Sequence, residues 1–102
     1  MNPFAYTPIP DGPITLDLTG CKDWKELYRR IRQAFGLPAF CGENWNALWD
    51  LLRDAIEYGE ERLIMIRGTE TVPERLREDM ETLREMFGML KEECPLVRVE
   101  YC

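Results

Sequence analysis

Residues 36–50, GLPAFCGENWNALWD, decide how the chain reads. Gly36 stops a helical pattern arriving from upstream, and Pro38 keeps the following residues out of helix. Asn44 is a good N-cap, because its side-chain oxygen can accept from a free amide of the first turn. From there Trp45, Leu48, Trp49 and Leu52 fall on one arc, while Asn46 and Asp50 stand one turn apart on the other. The spacing predicts an amphipathic helix from 45 to about 57, closed by Gly59, with Gly42 supplying a positive φ just before the cap. A carboxylate held on a helix directly behind a loop is a recognition device. Asp50, flanked by two tryptophans, loses little entropy when a partner immobilises it. The plainer reading pairs it with Arg53 at i+3, worth only about 0.2–0.5 kcal/mol.

Upstream, Ile14-Thr15-Leu16-Asp17-Leu18 alternates apolar and polar and reads as a strand, ended by Thr19-Gly20. Asp23 caps a helix whose apolar positions Trp24, Leu27, Tyr28, Ile31 and Phe35 recur at helical spacing. Its other face carries Lys25, Arg29, Arg30 and Arg32, a solvated basic stripe. Residues 1–13 hold four of the seven prolines and read as an irregular arm, which leaves 14–102 as a single domain. Downstream, Arg62 to Arg67 contains LIMI, an apolar run that fits a strand buried on both faces. Thr71-Val72-Pro73 opens a long helical stretch, in which Leu76, Met80, Leu83, Phe87 and Leu90 form a stripe widened by Met86 and Met89. Val97, Val99 and Tyr101 alternate with Arg98 and Glu100 as a last strand. Strand, helix, helix, strand, helix, strand is an α/β order, and helix-length crossovers favour a small parallel sheet.

Charge and cysteine content exclude several classes of function. The net charge is −6 over 102 residues, and its placement is uneven: residues 20–35 come to +3 and residues 40–61 to −5. An acidic surround disfavours direct nucleic-acid binding, which needs a basic footprint, and favours a basic protein partner through long-range steering. No apolar run approaches the ~20 residues of a bilayer crossing, and the first ten residues lack the order of a signal peptide, so a cytoplasmic location is expected. Cys21, Cys41, Cys94 and Cys102 form no CxxC pair and are expected as free thiols. With no histidine, the commonest general base and the commonest metal ligand are both missing. Neither an enzyme nor a cofactor or metal site is expected.

The loop and helix resemble the signature of the barstar family, intracellular protein inhibitors of a secreted bacterial ribonuclease. The matching residues are Leu37, Pro38, Phe40, Gly42, Glu43, Asn44, Ala47, Leu48, Trp49 and Asp50. The resemblance implies a three-stranded parallel sheet packed by helices, with two helices before the last strand and hence a break near residues 77–80. It also implies a one-to-one complex with a basic, extracellular-type ribonuclease, the free protein being a monomer. In that complex the loop and helix plug the enzyme's active site, and carboxylates replace substrate phosphate. Carried over by position, Asp50 is the principal anion, Phe40 and Trp45 are aromatic contacts, and Gly42 and Asn44 shape the loop. Trp49 supports the helix from the core side with an edge at the interface, and Glu92 is a secondary acidic contact. Asn46 stands where the type member carries a second aspartate, Phe40 lacks a phenolic hydroxyl, and Gly88 stands near a contact glutamate. Those neutral positions favour an alternative, a module of the same fold that engages another basic toxin or a non-nuclease protein. A third class, a hydrolase using Glu43 and Asp50 as an acid/base pair, suffers from their spacing of about 10 Å along a helix axis.

Overall fold

The computed structural model describes residues 5–9, 11–38, 42–56 and 60–102. Strand β1 (Ile14–Asp17) leads through a Thr19-Gly20 turn to helix α1 (Trp24–Ala34), and α2 (Trp45–Ala55) follows before strand β2 (Arg62–Arg67). Two 3₁₀ turns (Thr69–Thr71 and Glu74–Leu76) precede α3 (Arg77–Glu93), and β3 (Val97–Tyr101) ends the fold. The three strands form one parallel sheet in the order β1-β2-β3, with Ile14 beside Ile64 and Ile64 beside Val99. The expected α/β class and parallel three-stranded sheet are therefore present.

A sheet that grows in one direction by crossovers of one hand receives all its helices on one face. The burial pattern shows that face: Ile14, Leu16, Ile64, Ile66 and Val97 are buried, together with Leu27, Ile31, Leu48, Leu52, Leu83, Phe87 and Leu90 from the helices. Phe35 and Phe87 meet at its centre, ring centroids 5.7 Å apart. On the opposite face Thr15, Asp17, Arg98 and Glu100 are exposed, and Leu63 and Met65 only half-buried. This corrects the expectation that β2 is buried on both faces: its flanking strands carry polar residues there, and among the described residues no helix covers them.

Several boundaries differ from the sequence reading. The long helix starts at Arg77, not near Pro73, because the chain first makes the two 3₁₀ turns. The break expected near 77–80 falls just ahead of it: the Glu74–Leu76 3₁₀ turn ends at Leu76 (φ −101°, ψ 12°), and α3 then runs without interruption from Arg77 to Glu93. Met89 is exposed rather than part of the buried stripe, which Met86 alone of the pair joins. Helix α2 ends at Ala55 with Ile56 as its cap, short of residue 57, and Gly59 lies outside the described residues. The described part of residues 1–13 is irregular and held to the body: Thr7 donates its amide to the Gly36 carbonyl at 2.8 Å, and Ile9 packs against the core.

Candidate functional site

The end of α1 aims the loop that precedes α2. Gly36 adopts a left-handed φ of 62°, Leu37 donates back to the Arg32 carbonyl at 2.9 Å, and Gly36 donates to Gln33 at 3.4 Å. These are the two hydrogen bonds of a Schellman stop, which turns the chain out of the helix while pairing the Arg32 and Gln33 carbonyls. Residues 39–41, with Phe40 and Cys41 among them, lie outside the described residues. Gly42 does not have the expected positive φ. Its requirement is steric: a Cβ there would stand 2.9 Å from the Ala47 Cβ, so a larger residue would press on the first turn of α2. Asn44 is the cap, its Oδ1 accepting the Ala47 amide at 2.8 Å.

Three helices begin at one place. Trp24 opens α1 and Trp45 opens α2, their ring centroids 5.2 Å apart, and the Trp45 indole Nε1–H donates to Asp79 in the first turn of α3 at 3.1 Å. Since α1 and α2 start together, the loop between them must climb back along α1, a distance of about 16 Å for eleven helical residues. Trp45 is half-buried in this joint, so its ring serves as a brace as well as offering an edge to solvent. Asp79 lies in the first turn of α3, so one carboxylate joins the start of α3 to the start of α2. At the other end of α2, Arg53 Nε lies 2.8 Å from Glu93 Oε2, and its guanidinium covers the Trp49 ring at 5.4 Å from the centroid. The two contacts show that α2 and α3 run in the same direction and tie α2 down at both ends.

On the outward face between these ties, Asn46 and Asp50 are exposed, while Leu48 and Leu52 on the inward face are fully buried. The i+3 pair with Arg53 is not made, because Arg53 is engaged by Glu93; among the described residues Asp50 has no ion pair or side-chain hydrogen bond. Trp49 is half-buried, its ring covered in part by Arg53. Glu92 is exposed at the end of α3, next to the residue that reaches α2, and Gly88 is exposed with open space around it. The structure thus brings Gly42, Asn44, Trp45, Asn46, Trp49 and Asp50 onto one loop-helix unit, with Glu92 on the neighbouring element.

Three participants escaped the sequence reading: Trp24, Asp79 and Glu93. Trp24 was legible only as a core position, and the choice of Glu93 over Glu92 depends on how α3 is rotated against α2. Among the described residues no group of His, Cys, Asp or Glu is placed to hold a metal ion, and no helix is long and apolar enough to cross a membrane. No significant match is found among curated proteins. A family model described as Barstar (barnase inhibitor) matches residues 13–100. That match spans nearly the whole chain and agrees with the parallel three-stranded sheet and its helical layer, so the chain belongs to the barstar (barnase inhibitor) family.

Proposed function

We propose that this protein inhibits a barnase-like ribonuclease by seating α2 and its preceding loop in the enzyme's cationic active site, one inhibitor to one enzyme, and has no catalytic activity of its own. Asp50 is the principal anion, Asn46, Gly42, Asn44 and Trp45 surround it, Phe40 adds an aromatic contact, Trp49 supports from beneath, and Glu92 contributes at the margin. The observation that carries this reading is the state of Asp50: exposed on a helix fixed at both ends, with its nearest basic neighbour in sequence occupied elsewhere. A carboxylate so held is complementary to an arginine- and lysine-lined phosphate site and needs no rearrangement to enter it.

Asp50→Ala tests the reading. Binding to the nuclease should weaken by about 2–5 kcal/mol, because truncation leaves the partner's cations in a buried interface without their counter-charge. Thermal unfolding should barely change, since the side chain is exposed and makes no ion pair or side-chain hydrogen bond among the described residues. Titration calorimetry that finds the variant binding as tightly as the parent would remove Asp50 from the interface. Failure to inhibit any member of a panel of barnase-like enzymes would remove the inhibitor reading itself.

Exposed, uncharged Asn46 and Gly88 favour a second reading, in which the same surface meets another basic toxin or a non-nuclease protein that offers fewer cations. A pull-down from cells of the source organism separates the two. A small basic nuclease in the eluate supports the first reading, and a different basic protein supports the second.

A further inference from the structure

Arg53 follows Asp50 by three residues on α2, a spacing at which a basic side chain ordinarily meets a carboxylate on a helix surface. In this fold it is turned aside. Its Nε lies 2.8 Å from the Glu93 carboxylate and its guanidinium carbon 5.4 Å from the centre of the Trp49 ring. Either contact alone is weak, for the Arg53 and Glu93 side chains are 47% and 46% exposed and a solvated ion pair contributes little. Together they fix one guanidinium by its edge and its face, and Glu93 arrives from a different helix, so tertiary structure and not local spacing chooses where Arg53 points. The next acid along, Asp54, accepts from the Tyr6 hydroxyl at 3.4 Å.

The geometry points to Glu93 as a positioning residue for recognition: by holding Arg53 against Trp49 it leaves the Asp50 carboxylate without a counter-ion among the described residues, open to the cationic site of the partner. This rests on the reading of Asp50 as the principal anion, but the first measurement below does not involve a partner. It also gives the two adjacent acids at the end of α3 different tasks, since Glu93 faces α2 while Glu92 stands in solvent.

In the free protein the Arg53 Nε–H resonance reports which carboxylate faces it. Asp50→Asn should leave that resonance unmoved in the parent and shift it in the Glu93→Gln background, where Arg53 has swung back to Asp50. An equal response in both backgrounds, or none in either, overturns the proposal. The second measurement is the association rate with a barnase-like ribonuclease followed by stopped flow. Glu93→Gln should slow it about two- to fivefold when Arg53 is present and less than about 1.5-fold when Arg53→Gln is also made. Equal slowing in both backgrounds means that Glu93 acts only through its own charge, and the positioning role falls. If the resonance behaves as expected but no ribonuclease binds, the inhibitor reading is what fails, and Glu93 loses its role in recognition with it.

Discussion

Asn46 is one turn ahead of Asp50 on the same exposed face, and its amide is the clearest departure from an acidic recognition surface. Neither side chain makes a hydrogen bond or ion pair among the described residues, so changing the charge at 46 alters what the face presents and not how α2 folds. Asn46→Asp should hold or raise affinity for a barnase-like enzyme and steepen the salt dependence of the association rate, since an added anion strengthens steering toward a basic site. A fall in affinity, measured by stopped flow over a series of salt concentrations, would show a partner that uses Asn46 as a neutral hydrogen-bonding group. Trp45 illustrates a different residue-scale logic. Its ring packs on Trp24 and its N–H is satisfied by Asp79, so one side chain fixes where α2 begins against both neighbouring helices.

Helix α2 is short, and an isolated helix of eleven residues is marginal in water. It persists because Leu48 and Leu52 are buried, Asn44 caps its start, and α3 grips it at Trp45 and Arg53. α3 is therefore the frame that holds α2. Gly88 lies within α3 on the exposed side, and beyond the neighbouring backbone of its own helix no atom of the described residues lies within 4 Å of where a Cβ would be. Gly88→Ala should therefore raise stability by about 1 kcal/mol, the usual difference in helix propensity. Urea unfolding checks this, and a destabilised variant would mean that the glycine answers a steric demand.

At the scale of the whole molecule, acid and thiol chemistry follow from how the layers meet. The Thr19 amide and hydroxyl hold the Asp17 carboxyl below the usual range, and hydrogen bonds from Arg30 and the Lys22 amide do the same for Glu26. Arg30 also donates to the carbonyls of Asp17 and Thr19, so one side chain ties α1 to the end of β1. A native pKa lowered below the unfolded value gives stability that is present at neutral pH and lost as the pH falls through the carboxylate range. Acidification from about pH 5 to about pH 2 should therefore lower the urea midpoint, and the double variant Asp17→Asn, Glu26→Gln should flatten that dependence. An unchanged slope would show that these exposed groups do not contribute. Cys21, Cys94 and Cys102 are free thiols; the first two are buried and the last exposed, and burial pushes the Cys21 thiol up. Timed alkylation with mass spectrometry should label Cys102 first and Cys21 and Cys94 only on unfolding. Simultaneous labelling would indicate a looser core.

Local rules were sufficient wherever one element carries its own signal. Asp23 and Asn44 as caps, Gly36 as a stop, and the buried Leu48 and Leu52 opposite exposed Asn46 and Asp50 all follow from periodicity and capping, which depend on residues a few positions apart. The order of elements likewise implied a parallel sheet. What the sequence did not contain was the placement of one helix against another. The start of α3 at Arg77 depends on how the chain turns out of β2, and the half-open second face of β2 depends on all the helices lying on the same side. The requirement for glycine at 42 comes from the proximity of Ala47, a contact that φ preference alone does not reveal. Asp50 shows the division most clearly: its exposure was set by its position in the helical repeat, but the pairing of its neighbour Arg53 was decided by Glu93, forty-three positions from Asp50 in the chain and brought across by the packing of α3 on α2.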